Sequence, residues 1–133
     1  LVRKSELLKA KWEHIDFVNK TWLIPETKRD GNSGHSREMI VYMSDQIISI
    51  LNELKIIGGN EPYIFVGRKS GTHISHNAFN TAQKNVLEFT TLSPFTIHDL
   101  RRTASTHLHE QGFNSDVIEA SLNHTVKGIR GSL

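Results

Sequence analysis

The sequence predicts an α+β domain that is mostly helical and contains one small three-stranded antiparallel sheet. In the first third of the chain, short segments rich in β-branched and aromatic residues alternate with turn residues, which is typical of closely connected strands. In the rest of the chain, apolar residues recur at helical spacing behind residues that cap helices. A length of 133 residues is sufficient for one domain with a buried core.

The predicted sheet follows a short N-terminal helix. Good helix formers with Glu6 in the first turn favour that helix over 5–11. The three strands are predicted over 12–17, 21–24 and 39–43. The turn-prone pair Asn19-Lys20 separates the first two strands, and a polar turn with two glycines over 29–36 precedes the third.

Four helices are predicted after the sheet. Three of them follow a serine that can accept a hydrogen bond from the first turn, and glycines stand where two of them stop. The predicted helices are 45–57 behind Ser44 and before Gly58, 76–87 behind Ser75, 99–111 before Gly112, and 116–122 behind Ser115.

Composition narrows the class of protein only partly. The chain has no cysteine, which excludes disulfides and thiolate metal sites and is compatible with a reducing cytoplasm. It has no apolar run long enough to span a membrane and no secretory signal pattern. A net charge of +2 does not by itself identify a nucleic-acid-binding protein.

The most informative residues are a histidine and an arginine one helical turn apart. His98 and Arg101 have the i, i+3 spacing that would place both on one helix face, at the start of the predicted third long helix. His124 follows the next short helix and offers a third donor. Such a set suits a phosphate whose negative charge grows in a transition state. The spacing alone favours a packed histidine and a solvated arginine at a helix start.

The surrounding sequence favours the functional interpretation. The 29 residues IHDLRRTASTHLHEQGFNSDVIEASLNHT closely resemble the C-terminal catalytic domain of tyrosine recombinases of the phage integrase family, prophage type. In that family a His-x-x-Arg helix is followed by a glycine turn, a short helix and a Leu-Asn-His or Leu-Gly-His box. The resemblance implies the fold of that catalytic domain.

Two other stretches extend the resemblance. RKSELLKAKWEHID is similar to the first arginine box of the family, which implies that Arg3 is catalytic and that Glu6 helps to orient the arginines. The hairpin WLIPETKRDGNSGHSREMIVYMS is similar to the two strands whose connecting turn carries a lysine, and Lys28 stands there, with Arg29 as a competing candidate. Without the resemblance, these residues are equally compatible with an exposed helix-start arginine and a solvated turn lysine.

The resemblance implies a reaction. In the family a tyrosine attacks the scissile phosphate, forms a 3′-phosphotyrosyl link and frees a 5′ hydroxyl, so the bond energy is conserved. Arg3 and Arg101 would clamp the phosphate oxygens, and His124 would donate to a non-bridging oxygen. His98 would assist proton transfer at the tyrosine, and Lys28 would protonate the leaving oxygen. No cofactor or metal is implied.

The resemblance also implies partners. Double-stranded DNA at attachment sites would be the substrate, with Lys28, Arg29 and Arg102 as DNA contacts, in a bacterial or phage-encoded protein of the cytoplasm. The whole protein, of which this chain would be a part, would work as a tetramer. This chain would be a monomeric catalytic-domain fragment over 1–133 that lacks the N-terminal DNA-binding domain. Viral genome integration would be its biological setting.

The nucleophile is the largest departure from the family pattern. The only tyrosines are Tyr42 and Tyr63, and neither follows His124, where the family places its nucleophile. Both are interpreted as core or edge-strand residues. The expected tyrosine would lie at or beyond Leu133 or be replaced, so this chain alone is expected not to cleave DNA.

Two other function classes compete. The helices predicted around Gly112 imitate a helix-turn-helix DNA-binding module without chemistry, although the second helix is acidic and apolar. The pairs His73/His76 and His107/His109 suggest a metal site, but no acidic or cysteine partner stands at ligand spacing.

Overall fold

The computed structural model describes residues 1–28, 35–36 and 38–123. They belong to two compact units. The sheet unit is Ser5–Leu92, and the split unit is Leu1–Lys4 together with the chain from Ser93. The expectation that 1–133 form a single catalytic-domain fragment stays a prediction.

Helices dominate both units, as predicted. The helices are α1 Lys4–Leu8, α2 Asp45–Gly58, α3 His76–Glu88, α4 Ile97–Glu110 and α5 Ser115–Ser121, with a 3-10 helix at Trp12–His14. The strands are β1 Ile15–Asp16, β2 Thr21–Ile24, β3 Thr27–Lys28, β4 His35–Ser36 and β5 Met39–Tyr42. In the described part of the chain, no helix is long and apolar enough to cross a membrane.

The predicted three-stranded antiparallel sheet is confirmed, with the strand order β1-β2-β5. Trp22 of β2 lies opposite Ile15 on one side and Val41 on the other. Alternate residues of β2 are buried, namely Trp22 and Ile24. This alternation is the pattern of a strand with one face on a core, and it explains why β2 could be predicted with its observed bounds.

The first predicted strand is wrong in its first half. Residues 12–14 form a 3-10 helix because the His14 N–H donates to the Lys11 carbonyl at 3.2 Å. The Trp12 N–H donates instead to the carbonyl of Pro62 at 3.1 Å, a partner fifty positions away that local propensity does not reveal.

The polar turn predicted over 29–36 is wrong at its last two residues. His35–Ser36 pairs antiparallel with Thr27–Lys28, so both residues belong to a second, two-stranded sheet. Their polarity, which favoured a turn, does not prevent backbone pairing because ladder hydrogen bonds use only main-chain groups.

The core of the sheet unit draws residues from the sheet, from α1 and from α2. Its buried apolar residues are Leu8, Ala10, Trp22, Ile24, Met43, Leu51 and Ile64. α2 begins where predicted, because the Ser44 hydroxyl accepts the N–H of Ile47 at 3.4 Å. The Lys20 ammonium lies 2.5 Å from the Asp45 carboxylate, which ties the β1-β2 turn to the first residue of α2.

The split unit contains α4 and α5 around a glycine turn. Gly112 has φ +82°, the left-handed conformation predicted for it. The predicted cap of α5 is wrong by one residue, since the Asn114 side chain accepts the Asp116 N–H at 2.8 Å and Ser115 is the first helical residue. Asn is as good a cap as Ser, so sequence alone does not choose between neighbours. Ile118 and Leu122 are buried.

Candidate phosphate-binding site

The helix that carries His98 and Arg101 has a well-fixed N-terminus. Thr96 and Asp99 form a capping box in which the Asp99 N–H donates to the Thr96 hydroxyl at 3.2 Å. The Thr96 N–H and hydroxyl donate to the Asp99 carboxylate at 2.9 and 2.7 Å. These bonds lower the pKa of Asp99, and the bond from the Thr96 N–H has the largest effect. The charges of Arg102 and His98 lower it further by smaller amounts. The cap therefore fixes the direction in which α4 starts.

Removal of this cap gives a first testable prediction. Thr96→Ala is expected to lower the free energy of unfolding by about 1 kcal/mol, because the first turn of α4 loses its side-chain acceptor. Thr103→Ala, an exposed change inside the same helix, is the matched control and is expected to be slightly stabilising, because alanine has the higher helix propensity. Urea unfolding of the whole protein measures both; equal losses would contradict the capping role.

The lowered pKa of Asp99 adds a pH dependence to the same test. A carboxyl with a lowered pKa in the folded state stabilises that state above its unfolded pKa, and the contribution disappears as the pH falls through the folded pKa. Asp99→Asn is therefore expected to show a smaller loss of stability than the wild type when the pH is lowered from 6 to 3, roughly the acid range of a carboxyl.

Arg101 is partly buried, and its guanidinium is held by main-chain oxygens. One terminal nitrogen donates to the carbonyl of Leu1 and the other to the carbonyl of Leu122. Both partners lie in the split unit but far from Arg101 along the chain. A guanidinium that is fixed by two carbonyls at different points cannot rotate as a solvated side chain does.

Arg3 is held by the carbonyl that follows that of Leu122 in the chain. Its terminal nitrogen donates to the carbonyl of Asn123 at 2.8 Å, 120 positions away in sequence. Leu122 and Asn123 therefore present consecutive carbonyls, of which one receives Arg101 and the other receives Arg3. The structure thus brings together the two arginines that the resemblance pairs.

The other predicted site residues are distributed over both units. His98 lies in the first turn of α4 and is exposed, one helical turn before Arg101. Glu6 lies in α1 and Lys28 in β3, both in the sheet unit. Arg29 and His124 fall outside the described residues.

The two tyrosines both lie in the sheet unit. Tyr42 ends the edge strand β5 and is 81% exposed, which confirms the edge-strand interpretation and not the core one. Tyr63 contacts the His73 ring edge-on, with ring centroids 5.4 Å apart. Both belong to the sheet unit, whereas Arg3 and Arg101 belong to the split unit.

Arg102 is the exposed neighbour of Arg101. Its side chain is 73% exposed and lies 3.6 Å from the Asp99 carboxylate, an i, i+3 pair on α4. A surface pair of this kind contributes little to stability, which leaves the cation accessible to an anionic partner.

The sequence does not predict which carbonyl groups hold the arginines, because no residue type marks its backbone oxygen as a hydrogen-bond acceptor for a side chain. One signal was available: Asn123 stands in the Leu-Asn-His box at the place where other members have glycine, and both residues tolerate a left-handed backbone. That pattern indicates a backbone role for this position.

The sequence analysis also did not predict a basic turn in the sheet unit whose backbone is fixed by a carboxylate. Arg68 and Lys69 are exposed in a turn whose far side is fixed by Glu61. The Glu61 carboxylate accepts from the Ser70 hydroxyl and the Gly71 N–H, both at 2.7 Å. These bonds lower the pKa of Glu61, and the bond from the Gly71 N–H has the larger effect. The carboxylate that fixes the turn therefore stays charged.

Three of the four histidines that suggested a metal site have other partners, and one of them is His73, whose ring lies 2.8 Å from the Ile74 carbonyl. His107 contacts the Gln111 amide at 2.9 Å, and the His109 ring lies 2.8 Å from the Ser105 carbonyl. Within the described ranges, no group of three histidine, aspartate or glutamate side chains could hold a metal ion.

Sequence comparisons support the resemblance over nearly the whole chain. The model of the phage integrase family matches residues 1–129. The chain is 36% identical over 129 residues to prophage integrase IntA of Escherichia coli strain K12, covering 96% of this chain and 29% of the relative. It is 33% identical over 135 residues to the integrase of Enterobacteria phage P4, covering 93% and 30%. The chain thus spans about three tenths of the length of these relatives.

Solved structures show the same fold at low sequence identity. The XerA recombinase crystal structure superposes with a TM-score of 0.74 and 19% identity, covering 93% of this chain and 44% of that one. The Tn1549 transposon integrase in complex with transposon right end DNA gives 0.70 and 16% identity, covering 92% and 46%. The predicted fold class is confirmed.

Proposed function

This chain belongs to the phage integrase family, and from that premise we propose that it supplies the phosphate-binding part of a tyrosine-type site-specific DNA recombinase. The observation that carries the proposal is the pairing of Arg3 and Arg101 on consecutive carbonyls of one turn. Two guanidiniums that are held by consecutive carbonyls suit a phosphodiester, which has two non-bridging oxygens. The proposed setting is integration of a prophage in the bacterial cytoplasm.

The arginines would act mainly in the transition state. When a nucleophile attacks the phosphorus, negative charge grows on the non-bridging oxygens, and fixed donors stabilise that charge without having to reorganise. A guanidinium stays protonated at any physiological pH, so the site holds its positive charge throughout the reaction. The arginines thereby take the place that a metal ion has in other phosphoryl-transfer enzymes.

Proton transfer is assigned to the remaining predicted residues. Lys28 would protonate the leaving 5′ oxygen, His98 would assist at the attacking tyrosine, and His124 would donate to a non-bridging oxygen. Glu6 would help to orient the arginines. Each role is carried over from the family pattern onto the matching residue of this sequence.

The nucleophile and the assembly belong to the whole protein. A tyrosine at or beyond Leu133 would form the covalent link, so residues 1–133 alone would leave DNA uncut. They would also bind DNA weakly, because tight binding would need the N-terminal DNA-binding domain of the family. The partner would be double-stranded DNA, with the whole protein acting as a tetramer on two duplexes and the 133-residue chain remaining a monomer.

Recombination in a metal-free buffer tests the proposal. The whole protein is incubated with two duplexes that carry its attachment sites, in excess chelator and without ATP. Joined recombinant strands are expected, because a phosphotyrosyl link conserves the energy of the broken bond. Strand breaks that require Mg²⁺, or ends that remain unjoined, would contradict the reaction type.

The basic turn of Arg68 and Lys69 gives a prediction about DNA affinity. Exposed cations suit phosphate binding, so the double substitution to alanine is expected to weaken binding to every duplex. The slope of log affinity against log salt should become shallower by about 0.9 for each phosphate that the protein no longer neutralises. Lys9→Ala, an exposed change at the end of α1, is the control. An unchanged salt slope in the double variant would remove this turn from the DNA interface.

A further inference from the structure

The turn after α5 has an unusual backbone conformation. Asn123 has φ +52°, and apart from glycines only Lys20 shares a positive φ among the described residues. Residues with a Cβ rarely adopt this left-handed region, although asparagine does so more easily than most. The conformation is fixed by the Asn123 N–H, which donates to the Ala120 carbonyl at 2.9 Å, and by the Leu122 N–H, which donates to Ile118 at 3.0 Å.

The reversal at Asn123 determines where two carbonyls point. Leu122 ends α5 with φ −82° and ψ 0°, and the chain then turns through the positive φ of Asn123. The carbonyl before this reversal receives Arg101, and the carbonyl after it receives Arg3. The directions of the two oxygens, and hence the separation of the two guanidiniums, depend on the backbone angles of one residue.

We propose that Asn123 is a positioning residue whose left-handed backbone sets the relative placement of Arg3 and Arg101. The proposal rests on the proposed function, in which these guanidiniums bind the scissile phosphate. A guanidinium presents its donors in a fixed plane, so a carbonyl that binds one nitrogen also orients the others. A displacement of about 1 Å in such a site can reduce the rate about 10²-fold.

The backbone of Asn123 can be tested separately from its side chain. Asn123→Gly removes the amide but adopts a positive φ without strain, so it should preserve the arginine placement. Asn123→Val introduces a β-branched side chain, which strongly disfavours a positive φ, so the chain should leave this conformation and the carbonyls should move. The two variants therefore have opposite expected effects.

A control separates positioning from a general loss of stability. Lys20 has φ +53° in the β1-β2 turn of the sheet unit. Lys20→Val therefore imposes the same kind of backbone strain at a place that does not hold the arginines, and it also removes the ion pair with Asp45. The strain cost of the two valine variants should be similar, and only Asn123→Val should affect the reaction.

The experiment measures cleavage of a nicked attachment-site duplex by the whole protein at saturating DNA, together with DNA affinity and melting temperature. Asn123→Gly is expected to stay within about threefold of the wild type, and Asn123→Val to fall about 10²-fold in rate with DNA affinity changed less than threefold. Lys20→Val should keep the wild-type rate. A glycine variant as slow as the valine variant, or a valine variant as fast as wild type, would overturn the proposal.

A spectroscopic measurement keeps the test independent of activity. Side-chain NMR of ¹⁵N-arginine-labelled whole protein should show hindered guanidinium rotation for Arg3 and Arg101 in the wild type and in Asn123→Gly, and its loss in Asn123→Val. Unchanged signals in Asn123→Val would contradict the positioning role. An inactive wild type would overturn the proposed function, whereas an active wild type with an equally active Asn123→Val would overturn only this inference.

Discussion

Replacing Arg101 by alanine in the whole protein is expected to slow DNA cleavage by at least about 10²–10³-fold, the effect of losing one fixed donor to a transition-state oxyanion. The guanidinium is partly buried and donates to the carbonyls of Leu1 and Leu122, so the change also costs stability. Each hydrogen bond from a charged donor contributes about 1.5–3 kcal/mol. We expect a folded protein with a lower melting temperature and nearly unchanged DNA affinity.

The neighbouring arginine provides the control for this result. Arg102 is 73% exposed and forms an ion pair with the surface carboxylate of Asp99, so Arg102→Ala should change stability by less than about 1 kcal/mol and affect DNA affinity more than rate. Arg101→Lys keeps the charge but loses the planar fork, and it should not restore the rate. Normal cleavage by Arg101→Ala would exclude Arg101 from the reaction.

Replacing Lys28 by alanine has the second largest expected effect. If the ammonium protonates the leaving 5′ oxygen, its loss should reduce cleavage by about 10²–10⁴-fold. A substrate with sulfur in place of that oxygen should be cleaved normally by Lys28→Ala, because a thiol has a pKa of about 8.5 and leaves without a proton donor. Single-turnover cleavage of both substrates measures the difference.

The pattern of rescue also decides between neighbouring candidates. Arg29→Ala is the matched variant, and it should cut both substrates at the wild-type rate if Lys28 is the acid. Rescue of Arg29→Ala by sulfur, with Lys28→Ala unaffected on both substrates, would transfer the role to Arg29. If Lys28→Ala only weakens binding to all DNA, Lys28 is a phosphate contact without an acid role.

Elements defined by local signals were predictable from the sequence. The cap at Ser44 with apolar residues at helical spacing predicted α2, and the alternation in β2 predicted a strand with its observed bounds. The 3-10 helix at Trp12–His14 was not predictable, because a backbone bond to Pro62 takes the N–H that a strand would have used. Local periodicity contains no information about such a distant partner.

The same limit applies to the candidate site. The i, i+3 spacing of His98 and Arg101 and the family resemblance identified which side chains to consider. How the arginines are held was not predictable, because the bond between Arg3 and Asn123 joins residues 120 positions apart through a main-chain oxygen. A carbonyl has the same chemistry in every residue, so only the folded backbone shows which one is used.

The most direct test of the proposed reaction is to identify the tyrosine that becomes linked to DNA. The whole protein is trapped on a nicked attachment-site duplex, digested with protease, and the peptide that retains DNA is sequenced by mass spectrometry. We predict a 3′-phosphotyrosyl link on a tyrosine that follows His124 in the whole protein, with no adduct when that tyrosine is changed to Phe. Attachment through Tyr42 or Tyr63, or a DNA-cleaving protein without any covalent adduct, would contradict it.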